Sequence, residues 1–309
     1  MITPHDIEEA YARIQPHIRK TPVIESNGDF TNHDTPISLK LELFQHTGSF
    51  KPRGAFNNLL SQNVPTAGVA AASGGNHGAA VAYAAQKLGH KAKIFVPEIS
   101  TAQKIRKIKS AGAELLVEGR RYAEALALCE AYQEQTGALS IHAFDSNLTI
   151  AGQGTVALEW LEQVKNLDTI LVAVGGGGLI AGIITATRGI CNVVAVEPEG
   201  SCCLHTALKE EALTAVTINS IAADSLGATT LGSLSFEICG DALHKSLIIP
   251  DSAIKQAQLA LWDKFQIASE PGGATSLAAL MTGAYQPAPG ERVGVLLCGA
   301  NADLGVFTP

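Results

Sequence analysis

The sequence predicts an α/β fold built on a mainly parallel sheet. Three observations carry that prediction. Apolar runs of strand length alternate with helical periods over most of the 309 residues. Those runs are continuously apolar, as strands covered by helices on both faces are. The composition is 46% hydrophobic but only 5% aromatic, with 30 glycines, which suits close packing of helices on a sheet.

The first helix opens at Thr3-Pro4-His5-Asp6, with a threonine N-cap, proline at the first position and an acid three residues after the cap. Strand-length runs follow at Gly68–Ala72, Ala92–Val96, Glu114–Val117 and Leu139–His142, then at Thr169–Val174, Val193–Val196, Ser246–Ile249 and Val293–Leu297. Helical periods lie between or beside them at Gly78–Leu88, Ala123–Gln135, Ala151–Gln163 and Ser252–Ile267. No repeat, low-complexity tract or Pro/Gly/Ser-rich linker divides the chain. A second domain would therefore be an insertion that leaves and re-enters the first.

The net charge is -7, with no long block of one sign, so the basic face of a nucleic-acid binder is missing. No apolar run reaches the length of a membrane span, and Met1 leads directly into a polar, capped segment without a signal pattern. The cysteines are Cys129, Cys191, Cys202, Cys203, Cys239 and Cys298. None forms a Cys-x-x-Cys pair, so neither a zinc site nor a disulfide framework reads out. Scattered thiols fit a reducing cytoplasm.

Four segments interrupt the regular pattern where a strand should end or a helix begin. The first is Gln45 to Ala55, with Ser49 read as N-cap and Pro52 in the first helical turn, which puts Lys51 at the positive end of a helix. That dipole disfavours an ammonium, and a neutral lysine is a good nucleophile toward an aldehyde. A lone lysine is otherwise most often a solvated surface group. The second is Ser73-Gly74-Gly75-Asn76-His77-Gly78, whose amides at a helix start can bind a carboxylate. It also reads as an ordinary capped helix start. The third is Gly175-Gly176-Gly177-Gly178-Leu179, where backbone amides can wrap a phosphate. Gly176, Gly178 and Ala181, with Glu197 ending the next strand, also match a dinucleotide fingerprint. This segment alone does not separate a dinucleotide-binding protein from a binder of some other phosphate, although the dinucleotide reading gives Lys51 and Asn76 no role. The fourth is Cys298-Gly299-Ala300-Asn301, where a thiol could face a ring nitrogen or be a small buried hydrophobe.

Together with Ala151-Gly152-Gln153-Gly154-Thr155 and Glu270-Pro271, these segments run in one order across nearly the whole chain. In that order the chain resembles the type II pyridoxal-phosphate enzymes, specifically the threonine/serine dehydratase and serine racemase branch. The resemblance implies the fold of the tryptophan synthase β-subunit, with two open parallel-sheet α/β domains. Residues 1–66 and 143–309 would form a large cofactor-binding domain, and residues 67–142 a small, mobile, inserted one. Lys51 would hold pyridoxal 5'-phosphate covalently and move the substrate's proton. Phe50 would lie against the ring, Asn76 would bond its hydroxyl, and Glu270 would line the site near it. Cys298 would meet the pyridine nitrogen, while Gly175, Gly176, Gly177, Gly178 and Leu179 would cradle the phosphate. Ser73, Gly74, Asn76 and His77 would form the loop that grips the substrate carboxylate. A homodimer is expected. The chain stops soon after the Cys298 motif, so the regulatory C-terminal domain of biosynthetic threonine dehydratases is expected to be absent.

Within this branch the sequence favours β-elimination from L-serine or L-threonine, giving a 2-keto acid and ammonia. A racemase needs a second acid/base group, and such enzymes are expected to present a serine where this chain has Gly74. The sequence also leaves open a 3-hydroxyaspartate dehydratase, a β-replacement enzyme and a noncatalytic pyridoxal-phosphate carrier. A second substrate carboxylate would need a cation, and Arg120 and Arg121 cannot be placed in the site from sequence. No metal is expected. The resemblance implies an aspartate six residues after Glu197, and Cys203 stands there instead.

Overall fold

The computed structural model describes residues 2–31, 35–100 and 102–307. Helix α1 (Pro4–Ile14) begins with the expected capping box, in which the Asp6 carboxylate accepts from Thr3 N at 2.7 Å. Two strands that the apolar runs did not mark follow, β1 (Val23–Asn27) and β2 (Pro36–Lys40), paired antiparallel. Then come α2 (Lys51–Ser61), β3 (Val69–Ala72), α3 (Asn76–Lys87), β4 (Ala92–Val96), α4 (Ala102–Ser110), β5 (Glu114–Val117), α5 (Tyr122–Thr136) and β6 (Leu139–Ser140). The chain continues through α6 (Asn147–Gln163), β7 (Thr169–Ala173), α7 (Gly178–Ala186), β8 (Asn192–Pro198), α8 (Cys203–Glu210), α9 (Ala223–Leu226) and α10 (Ser233–Ala242). It ends with β9 (Lys245–Ile249), α11 (Asp251–Phe265), α12 (Pro271–Met281) and β10 (Val293–Leu296).

These strands make two sheets. The larger has the order β1-β2-β10-β7-β8-β9 and is parallel except for β1. The smaller has the order β5-β4-β3-β6 and is parallel throughout. All of β7 is buried, which explains its uninterrupted apolar run. Strand β6 is two residues shorter than the apolar run because Ile141 and His142 have already left the sheet.

Helix α2 stands between the two sheets. Its Phe56 and Leu59 pack into the core of the smaller sheet. Its Arg53 points the other way, into a fully buried ion network. Arg53 donates to Glu42 at 2.5 and 3.0 Å, to Glu159 at 3.0 Å and to Thr155 Oγ1 at 3.2 Å. Lys40 completes the network by donating to Glu159 at 2.5 Å and to Gln163 at 2.6 Å. Two cations face two carboxylates, so the group is neutral as a whole and its charges are mutually bonded. The Ala151–Thr155 motif has a packing role here. A Cβ on Gly152 would stand 2.6 Å from the Arg53 carbonyl, so α2 and α6 cross closely only because that Cβ is missing.

Candidate active site

The segment before Lys51 is pinned to the segment after β10. Leu43 N donates to the Leu297 carbonyl at 2.9 Å, Phe50 N to Cys298 O at 3.2 Å, and Ala300 N to Gly48 O at 2.9 Å. This stitching brings Lys51, Phe50 and Cys298 together from distant parts of the chain. Thr47 takes a left-handed backbone, φ 60°, to make the turn. Ser49 does not cap α2, contrary to the sequence reading. Phe50 is the N-cap residue, and Ser49 pairs through its backbone with Gly299 while its hydroxyl lies buried without a partner among the described residues. Lys51 is nevertheless the first residue of α2, at its positive end. Its amine donates to the Ala143 carbonyl at 2.9 Å and lies 5.1 Å from the centre of the Phe50 ring. Desolvation lowers its pKa from that of an ordinary lysine to about 8, against the opposing pull of Cys298 and Glu270.

Asn76, Glu270 and Asn301 form one cluster. Asn76 Nδ2 donates to Glu270 Oε1 at 2.8 Å, Asn301 N donates to Glu270 Oε2 at 3.2 Å, and the Asn301 amide donates to Asn76 Oδ1. Lys107 from α4 donates to Asn301 Oδ1. Burial raises the Glu270 pKa to about 7, although the Asn76 and Asn301 donors and Lys107 work against it. Cys298 is buried, its thiol donating to Gly272 O at 3.5 Å, and burial pushes its pKa well above the usual thiol range. In this site it is a neutral group.

The second segment leaves β3 as expected, and α3 starts at Asn76 with Gly75 as N-cap. Ser73 Oγ accepts from Gly75 N at 3.2 Å. His77 bonds Ile141 O at 2.9 Å through Nε2, which must therefore carry the proton. Burial and the Lys51 charge lower its pKa to about 3. His77 is thus a neutral side chain bonded to the backbone.

The glycine loop opens α7. Gly177, at φ 92°, is its N-cap. Among the described residues, the amides of Gly175 to Gly178 donate to no backbone carbonyl outside a helix. Ser235 adds a buried hydroxyl without a partner among the described residues, beside the place a Gly177 side chain would fill. A Cβ on Gly176 would overlap the Phe144 ring, 2.6 Å from Cε1. The result is a bare cradle of N–H donors at a helix's positive end, which fits a phosphate. Leu179 is buried against it. Ala143 and Phe144 join this loop to Lys51, since one bonds the lysine amine and the next packs on the glycines.

The fingerprint acid Glu197 is turned away from the loop. Its carboxylate accepts from Leu204 N at 2.9 Å and His205 N at 2.7 Å in the first turn of α8, fully buried. Burial raises its pKa to about 8, and those two amides pull it back only in part. It is not available to a ribose hydroxyl, so the dinucleotide reading loses its acid. Among the described residues no group of three or more His, Cys, Asp or Glu side chains is set to hold a metal.

A cavity of about 350 Å³ lies over the Asn76–Glu270 cluster, between the two sheets. Lys104 and Lys107 of α4 reach it from one side, Asp224 and Ser225 from the other. Lys104 and Asp224 pair across it at 2.7 Å. Arg120 and Arg121 are exposed and line none of it. The cations that do line it, Lys104 and Lys107, are not marked by any motif in the sequence. Their three-residue spacing on one helix face is the signal that could have found them. Asn301 stands in a sequence motif that gives it no role, and the sequence does not single out Ala143, Phe144, Ser235 or Ser100.

Residues 14–299 match the family model described as pyridoxal-phosphate dependent enzyme. The phenylserine dehydratase of Ralstonia pickettii is 35% identical over 301 residues, 96% of this chain and 92% of that protein. The L-threonine ammonia-lyase of Geobacter sulfurreducens is 36% identical over 303 residues, 96% of this chain and 75% of that one. The structure of maize serine racemase superposes with a TM-score of 0.94 at 35% identity, covering 99% of this chain and 95% of its own.

Proposed function

The chain belongs to the family of pyridoxal-phosphate-dependent enzymes, pyridoxal phosphate is its cofactor, and on that premise we propose that it is an L-serine/L-threonine ammonia-lyase. The observation that carries the proposal is the enclosed amine of Lys51, with its pKa brought down to about 8, at the meeting point of the glycine-rich segments. Pyridoxal phosphate, when bound, draws electrons from a substrate's α-carbon and makes its proton removable. Lys51 would take that proton at Nζ. The β-hydroxyl then departs and needs a proton, and the ammonium that Lys51 has become holds one. The loop Ser73–His77 offers amides at the start of α3 to the substrate carboxylate. Gly175 to Gly178 and Leu179 would hold the phosphate, Phe50 would flank the ring, and Asn76 and Glu270 would bond at its edge. Cys298 gives the ring nitrogen a neutral neighbour, which elimination tolerates because charge leaves with the hydroxyl.

Residues 67–142 are read as a body that closes over the substrate, with the cavity between the sheets as its opening. A cytoplasmic homodimer belongs to the same reading. The six free cysteines support the compartment, and the family resemblance supports the pairing. Incubating the holoenzyme separately with L-serine, L-threonine and 3-hydroxyaspartate, and assaying keto acid and ammonia, tests the proposal. Keto acid from serine or threonine is expected. Keto acid from 3-hydroxyaspartate alone, or from none of the three, would overturn it.

A further inference from the structure

Position 74 carries no side chain, yet the space one would fill is taken. A Cβ built on Gly74 would fall on the Ser100 hydroxyl, 3.0 Å from Ser100 Cβ and 3.4 Å from Val96 Cγ1. The topology explains the meeting. Strands β3 and β4 are parallel neighbours with Ala72 level with Phe95, so the loops leaving their carboxyl ends lie side by side. Ligands of open α/β sheets bind at those ends. Ser73 N donates to Phe95 O and Ser100 N to Pro97 O, both at 2.9 Å, which fixes the start of each loop.

Other polar groups of this loop are engaged. Ser73 Oγ accepts from Gly75 N, His77 holds its proton toward Ile141 O, and the Asn76 amide is bonded to Glu270 and Asn301. Ser100 differs. It is half-buried, and its hydroxyl has no hydrogen-bond partner among the described residues. It also stands two residues ahead of α4, whose positive end favours a deprotonated oxygen.

We propose that Ser100 moves a proton on the substrate face opposite Lys51, so that the enzyme inverts its substrate's α-carbon alongside elimination. The inference rests on the reading above only in needing Lys51 and the cofactor at that carbon. Lys51 Nζ takes the α-proton from one face and becomes an ammonium. Ser100 Oγ gives its proton to the other face of the same carbon. Exchange with solvent then returns a proton to Ser100 and takes one from Lys51. The amino acid leaves with its composition unchanged and its configuration reversed, and the reverse passage uses the same two groups.

The test uses the holoenzyme in D₂O with L-serine and, separately, with L-alanine, which has no β-leaving group. Wild type is expected to give D-serine and D-alanine carrying deuterium at the α-carbon, seen by chiral chromatography and mass spectrometry. Ser100→Ala should lower the ratio of D-serine to keto acid, and of D-alanine to deuterated L-alanine, by roughly tenfold or more. Gly74→Ser on the Ser100→Ala background returns a hydroxyl to the same place and should restore both ratios. Thermal melting and cofactor affinity check that each variant is folded and loaded. No D-enantiomer from the wild type, or unchanged ratios in Ser100→Ala, would overturn the assignment. Ser100-dependent inversion of alanine without keto acid from any substrate would uphold it and sink the ammonia-lyase reading instead.

Discussion

The two sheets hold their functional residues in different ways. On the six-stranded side, Lys51 follows a stretch stitched by backbone bonds to the segment after β10, and two residues later Arg53 is locked among Glu42, Glu159 and Thr155 with no exposure. On the four-stranded side, α4 meets the rest of the site through long side chains, Lys104 to Asp224 and Lys107 to Asn301. Asp224 is three-quarters exposed. Buried, mutually bonded charges are expensive to separate, whereas a solvated pair forms and breaks cheaply. The charge network beside Lys51 is therefore costly to open, and the Lys104–Asp224 pair is not.

The largest expected effect lies on the fixed side. Lys51→Ala should lower turnover by roughly 10³-fold or more and abolish borohydride-reducible attachment of the cofactor. Retained attachment would mean that another lysine carries it. Next, Arg53→Met leaves Glu42 and Glu159 short of a buried partner and should cost about 3–5 kcal/mol in urea unfolding. A loss no larger than that of a surface pair would erase the contrast between the sheets.

Gly176→Val combined with Gly177→Val should weaken pyridoxal-phosphate binding by about 1–3 kcal/mol, because Phe144 and Ser235 already occupy the space the branches need. Unchanged affinity in equilibrium dialysis would remove the cradle from the cofactor's site. The lowered Lys51 pKa sets a pH dependence on the same side. Its reactive form is the neutral amine, so capture of pyridoxal phosphate by the apoprotein should rise about tenfold per pH unit below about 8 and level off above it. A rise continuing toward the ordinary lysine range would contradict the desolvated setting. The smallest effect belongs to the solvated pair. Lys104→Ala should cost under about 1 kcal/mol of stability and raise KM a few-fold, with kcat little changed, and added salt should blunt the difference. A stability loss as large as that of Arg53→Met would show that this side is fixed too.

Much of the architecture is legible in the chain itself. The parallel α/β class follows from buried strands such as β7, whose residues are apolar whichever face they point to. Lys51, the glycine loop and Asn76 are legible because helix starts and tight turns demand particular residues locally. The pair β1 and β2 escapes the apolar pattern because Val23–Asn27 mixes polar residues into an outer strand. Ser49 reads wrongly as a cap because its backbone answers to Gly299, some 250 positions away in the chain.

What the sequence determined alone is thus short-range: which segments are strand or helix, where α7 must start with bare backbone, and which lysine begins a helix. Each depends on neighbours within a few residues, through backbone angles, capping and apolar periodicity. What only the tertiary structure decided is which of those segments face each other. Arg53 belongs to a buried network, Glu197 turns inward to α8, and Lys107, rather than Arg120 or Arg121, reaches the cavity. Ser100 comes to lie over Gly74 for the same reason. Strand order and register are set by packing across the whole chain, and no local spacing records which carboxyl ends become neighbours.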